Sequence, residues 1–458
     1  MTSRAQKRLR SDDNIDRDRL SELPDDVIVR ILSCMPTIDA VRTVLLRRFG
    51  TLWTWIHTLD FDMSEYLNKF SQRERRNRDQ TRWFCRFVHN VLSLHQNHSI
   101  DSFRLLMKFD CCIERLKAID EINEWLRFAL DRQAKEIGLV DEYNYGFCSS
   151  KLSEFTSQFL VTLQLDSWEF EGEYKVELGS LKKLSLDQVF MNDENFQRFI
   201  SGCPSLQELV IVNPYGMNKL RLSAPNIVKL SLVLTYGTHG GYHPTLLYFP
   251  NVKNLYLEIT AWLLDIVDVS SVRNIYIKNL NFSMDHDDYV ATINQVLVGR
   301  FQGIEVFRLS CDASKEFLHT IQNLQLLECR WRRIVLELQD FCESCLLGVY
   351  RLMNSLKQLE ELIIYTTEDF KASADLLRVK LPSSYVTPQL KTITLHGYEK
   401  SWKSQHQLVE LLLKSAAALD KLVIVPMKSR LKETDELDFV KNLSSFPKAS
   451  PSARVIFA

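Results

Sequence analysis

The chain has 458 residues, 45% hydrophobic and 25% charged, and its 57 basic and 58 acidic side chains leave a net charge of −1. That near-neutral, ordinary globular balance excludes a global attraction to nucleic acid or to an anionic membrane surface. No run of 18 apolar residues offers a membrane span, and 14 glycines are too few for a chain built on Gly-rich phosphate loops. The ten scattered cysteines, with no apolar core in Met1–Asn14, fit a reduced intracellular setting in the nucleus or cytoplasm. Arg4, Lys7, Arg8 and Arg10 read either as a nuclear address or as a solvated tail over residues 1–17.

Residues 18–62 predict three short helices. Pro24 with Asp25 and Asp26 opens the first, and Val27, Ile28, Ile31, Leu32 and Met35 form its apolar stripe. Pro36 ends that helix and Thr37 can cap the next, whose stripe is Val41, Val44 and Leu45. Leu52, Trp53 and Ile56 supply a third stripe. Three helices in about forty residues bury little by themselves, so a partner covering the remaining apolar stripe is expected.

Residues 63–158 mix a charged stretch to Thr81, a helix over Phe84–Leu94, a strand over Phe103–Phe109 and an amphipathic helix over Ile119–Leu130. From about residue 160 a pattern repeats in which two apolar residues, one position apart, follow a third. It is centred on Leu163, Leu184, Leu209, Leu230, Leu255, Ile275, Phe307, Ile334, Leu362, Ile393 and Leu422, with spacings of 20–32 residues. Alternation at the last three positions makes a short strand with one face buried, and such units hide that face only by stacking. Ahead of one strand, Asn192 or Asp193 caps a helix with inner face Phe196, Phe199 and Ile200, ended by Gly202. Unequal spacings predict a distorted arc.

Two segments resemble known modules. Residues 18–62, through Leu23-Pro24, Ile31-Leu32, Pro36-Thr37, Ala40–Thr43 and Leu52-Trp53, resemble an F-box. Phe49 stands where that module usually has Trp, and the stretch Thr43–Phe49 is one residue short. Residues 381–458, through Phe439-Val440, Leu443, Phe446–Ser450 and Val455–Phe457, resemble the FBD module that closes many plant leucine-rich F-box proteins. The chain is thus identified as similar to the plant F-box/FBD/leucine-rich-repeat proteins. The resemblance implies an α/β chain: a disordered tail (1–17), an F-box (18–62), a lead-in region (63–158), leucine-rich repeats (159–380) and an FBD cap (381–458). It also implies a non-catalytic subunit of an SCF (Skp-cullin-F-box) ubiquitin ligase that needs no cofactor. Leu20, Leu23, Pro24, Ile28, Ile31, Leu32, Pro36, Val41, Leu45 and Trp53 would then meet a Skp-type adaptor and, through it, a cullin ligase. A target protein would lie on the repeats, where Tyr256, Tyr276 and Arg308 project from successive strands as candidate anchors.

Chemistry-bearing patterns are sparse. Cys342-x-x-Cys345 lacks a second pair at zinc spacing, and Cys85, His89, His95 and His98 read as packing on a helix and its trailing loop. Asp285–Asp288 reads as a helix N-terminus, and the loop Thr238–His243 lacks the Lys-Ser/Thr of a phosphate loop. No catalytic or metal site is predicted. Three readings stay open: a ligase substrate receptor, a receptor gated by a small molecule, and a repeat scaffold with a degenerate F-box.

Overall fold

The computed structural model describes residues 22–458 apart from 71–78, 109–111, 142–147, 150–153, 171–173, 218, 223, 235–245, 260–264, 279–302, 322–325, 327–328, 342, 373–388, 399–402 and 427–445. The chain divides into two units, one of Met1–Leu152 and Thr156–Gln164, the other of Ser153–Phe155 and Leu165–Ala458.

In the first unit, Pro24 is the N-cap of the helix Asp25–Ser33, which buries Ile28, Val29 and Leu32. Pro36 in turn precedes the helix Thr37–Arg42. Thr37 is not the cap: its hydroxyl is buried and accepts the Asp60 amide at 2.7 Å, joining the helix to the first strand. The second expected helix stops at Arg42 and passes into a 3-10 turn, Thr43–Leu45, and the third is itself a 3-10 turn, Leu52–Trp55. Between them the chain advances by i→i+3 bonds, from Leu46 to Thr43, Phe49 to Leu46 and Leu52 to Phe49. One residue fewer would rotate an α-helical continuation by about 100°. The tighter turns still bring Trp53 and Ile56 into the core.

Next come three parallel strands, Thr58–Asp62, Ser102–Met107 and Glu136–Asp141, with Leu59, Phe103 and Ile137 in one register row. The helices Gln80–Leu94 and Cys112–Asp131 connect them. Strand and helix therefore already alternate before residue 159. Ser33 Oγ accepts the His57 amide (2.9 Å), and buried His95 donates through Nε2 to the Ile56 carbonyl (2.9 Å). These bonds fasten the helical module to the first strand-helix repeat.

The second unit is a parallel ladder. Leu184, Leu209, Leu230, Leu255, Ile275, Phe307, Ile334, Leu362, Ile393, Leu422 and Val455 stand side by side in one row across eleven strands. All but Val455, on the last strand, are buried. A row of this kind buries apolar area that no single repeat could hide. The ladder continues past residue 380 through Thr392–Tyr398, Lys421–Pro426 and Arg454–Phe457, with the row unbroken and a register shift between His396 and Tyr398.

The returning segment changes along the ladder. Between residues 209 and 275 the short repeats return through the small strands Lys219–Arg221, Leu246–Tyr248 and Asp265–Asp268, which form a sheet of their own. Longer repeats have room for the helices Cys311–Thr320 and Glu343–Ser355. Gly348 permits the contact of these two helices, since a Cβ there would lie 2.4 Å from the Leu318 carbonyl oxygen. Asn192 caps the helix Asp193–Ser201 as expected, its Oδ1 accepting the Asn195 amide at 2.8 Å. Gly202, however, has φ −76°, so a left-handed cap is not its role. A Cβ at Gly202 would meet the Val176 carbonyl oxygen at 2.3 Å, and close packing is what demands glycine.

A second repeated device marks the strand ends. Ser167, Gln188 and Asn213 all have positive φ, between 42° and 55°. Each thereby donates its N–H to a carbonyl at the end of the next strand: Asp187, Val212 and Val233 in turn. The left-handed conformation costs about 1 kcal/mol or more per residue. Here it satisfies a carbonyl as the chain turns out of the sheet.

Candidate docking surfaces

The first surface lies on the helical module. Ile28, Leu32 and Trp53 sit in the module's own core, where they hold its shape. Leu23, Pro36 and Val41 are half-buried and Pro24 is exposed. Ile31 is 43% exposed and Leu45 88%, and Val44 and Leu46 are each more than half exposed. Leu20 lies outside the described residues. Arg48 holds the turn region to the start of the first helix, bonding the Leu23 carbonyl (3.3 Å) and the Asp25 carboxylate (2.5 Å). The consecutive Val44, Leu45 and Leu46 thus leave three apolar side chains in water on a small module. That is costly unless another surface covers them. Sequence periodicity had placed Val44 on an inner stripe. The 3-10 turn, with its three-residue period, re-aims that side chain outward.

The second surface is the face of the ladder opposite the buried leucines. Val210, Ser231, Tyr256, Tyr276 and Arg308 occupy one register row on successive strands. The predicted trio does come together. Tyr256 and Tyr276 meet edge to face at 5.2 Å, and the Arg308 guanidinium lies over the Tyr276 ring at 4.6 Å. Two residues missed in the sequence complete the cluster. Glu337 accepts from Arg308 Nη2 at 2.6 Å and Nε at 2.9 Å, and from the Tyr276 hydroxyl at 3.4 Å. Tyr365 lies 5.9 Å from the Arg308 guanidinium on its ring face and stacks on His396 at 4.3 Å. Nothing local to Glu337 signals this role; only the register sets it two strands from Tyr276. Burial, then its hydrogen bond to Glu258 (2.9 Å), pushes the Tyr256 phenol up, so it stays protonated.

Asp187, at the end of the strand Lys183–Asp187, is a half-buried carboxyl outside both surfaces. Its Oδ1 has no hydrogen-bond partner among the described residues, and burial raises its pKa to about 6. Because the folded value exceeds the ordinary 3.8, the folded state retains this proton to higher pH than the unfolded chain. The associated stability is complete below pH 3.8 and is lost as pH rises through about 6. Asp187→Asn is therefore expected to stabilise the protein at pH 8 by about 1 kcal/mol, after discounting for solvent screening. At pH 4 the two proteins should unfold alike. Urea melts at both pH values read this, and an equal gain at both would exclude the titration.

The sequence motifs considered for metal chemistry do not assemble a site. Among the described residues no group of three His, Cys, Asp or Glu side chains is placed to hold a metal ion. Burial pushes the Cys85 thiol up to about 12, away from the thiolate a metal or nucleophile needs. Cys345 is buried on the core face of its helix, with its sulfur 3.9 Å from His319 Nε2. Cys342, Asp285–Asp288 and Thr238–His243 lie outside the described residues. No described helix is long and apolar enough to cross a membrane.

A parallel ladder with a one-sided apolar row defines a leucine-rich-repeat protein, and a short helical module with an uncovered apolar run precedes it. Comparison with known proteins agrees on both parts. The model of the At1g61320/AtMIF1 LRR domain matches residues 91–442, and the F-box domain model matches residues 20–55. Similar proteins from Arabidopsis thaliana include F-box/FBD/LRR-repeat protein At5g56420, 27% identical over 96% of this chain and 99% of its own length. F-box/FBD/LRR-repeat protein At2g26030 is 24% identical over the same shares. Putative F-box/LRR-repeat protein At3g42770 is 33% identical over 51% of this chain and 44% of its own length. The chain belongs to the plant F-box/FBD/LRR-repeat family.

Proposed function

We propose that this protein is a substrate-recognition subunit of an SCF-type ubiquitin ligase. Its F-box docks on a Skp-type adaptor and so on a cullin, and the ladder's open face holds a target protein. The chain does no chemistry of its own: it raises the target's effective concentration beside a conjugating enzyme carried by other subunits. It works inside the cell, in the nucleus or the cytoplasm.

One observation carries the reading. The F-box domain leaves Val44, Leu45 and Leu46 uncovered beside half-buried Val41, an apolar run that needs a partner. Leu23, Pro24, Ile31, Pro36, Val41 and Leu45 are the side chains the module can present; Ile28, Leu32 and Trp53 act by holding them in place.

Co-expression with a panel of plant Skp-type adaptors tests the proposal. We expect a stoichiometric complex on size exclusion with at least one adaptor. A folded chain that elutes free of every adaptor would overturn the ligase reading and leave a repeat scaffold.

A further inference from the structure

On the ladder's open face, side-chain size changes abruptly along one register row. Val210 and Ser231 are small; their neighbours Tyr256, Tyr276 and Arg308 are large. The step leaves a groove of about 420 Å³, floored by Val210 and Ser231 and walled by the two tyrosines. That volume exceeds one aromatic side chain and leaves room for adjoining main chain. The wall is held in advance: Tyr256 packs on Tyr276, and Arg308, tied to Glu337, covers Tyr276.

The rim has two further properties. Asn254 and Asn274 stand side by side, with Asn274 Nδ2 donating to Asn254 Oδ1 at 2.7 Å. A pair of linked amides offers one more donor and one more acceptor, the complement of a peptide group. The charges around the groove, in contrast, are already matched. Glu208 pairs with Lys183 and Lys229, Glu258 with Lys278, and Glu337 with Arg308. A charged occupant would have to compete with these pairs, whereas an uncharged one would not.

We propose that this groove binds an extended peptide segment of the target, seating an uncharged aromatic or aliphatic side chain over Val210 and Ser231 with its main chain on Asn254 and Asn274. The inference rests on the ladder being the target-binding part of the receptor, and it names the target's chemistry. Affinity comes from burying one apolar side chain against preset tyrosines, and direction along the face from the amide pair.

The full-length chain, purified with its adaptor, would be panned against a random dodecapeptide display library, and enriched peptides measured by fluorescence anisotropy. We expect peptides with one essential Phe, Tyr, Trp, Leu or Met and no charged neighbour. Ser231→Trp, which fills the groove from the open face, should weaken them at least thirtyfold, and Asn254→Ala with Asn274→Ala about tenfold. If Ser231→Trp lowers the melting temperature, Tyr256→Ala, which removes the wall, decides by the same loss. No enriched peptide, affinity indifferent to these changes, or a selected motif that is acidic or basic would each overturn the proposal. Adaptor retained with peptides indifferent to the groove refutes only this inference; adaptor lost with groove-dependent peptides refutes only the ligase reading.

Discussion

Ile31→Glu combined with Leu45→Glu is expected to lower affinity for a Skp-type adaptor by about a hundredfold or more and to leave the melting temperature unchanged within about 2 °C. Burying one large aliphatic side chain at an interface is worth about 1.5–3 kcal/mol, and a buried carboxylate adds a desolvation cost. Two such positions give at least about 3 kcal/mol, which is more than two decades of affinity. The fold is spared because both side chains already face water, Leu45 almost fully. Leu32→Glu should behave differently. Leu32 is in the core of the module, so this change loses adaptor binding by unfolding the F-box, visible as a lost melting transition. Adaptor capture by the Ile31/Leu45 variant at wild-type strength would show that docking uses another surface.

Trp331→Ala destabilises the second unit by about 3–5 kcal/mol, the range for truncating a buried aromatic. The indole is fully buried and stacks on Phe307 at 4.2 Å with 13° between planes. Phe317, from the helix behind, meets Phe307 at 5.5 Å. Removing the indole leaves a cavity among aromatic rings that the parallel backbone holds apart, and the site cannot collapse to fill it. Urea unfolding followed by tryptophan fluorescence and circular dichroism reads the loss. A change below 1 kcal/mol would mean that this repeat is not part of a cooperative core.

Both predictions separate what local sequence encodes from what it does not. Trp331, Ile334 and Leu336 make a weak repeat pattern, yet Ile334 takes its place in the buried row beside Phe307 and Leu362. That was readable because a period-two alternation needs only neighbouring residues. The same alternation was too short to read at Thr58–Asp62, where Asp60 lies between the only two buried residues of the strand, Leu59 and Phe61. It failed at Glu136–Asp141, where Gly138 breaks the apolar run. Both strands belong to the ladder of the first unit because Leu59, Phe103 and Ile137 align across it.

By itself, then, the sequence determined the F-box, the repeated strands, their inward residues and the Asn192 cap, since each depends on side chains within a turn or two of one another. It also placed Tyr256, Tyr276 and Arg308 on one face through the strict alternation of a strand. Only the tertiary structure decided which F-box side chains remain outside, because a 3-10 turn changes the period after Thr43. It alone also decided that Glu337 ties the Tyr276–Arg308 cluster, that Gly202 serves close approach, and that Oδ1 of Asp187 is buried. The Glu337 contacts join residues 29 and 61 positions apart, and their register depends on the lengths and turns of the segments between, which no local pattern encodes.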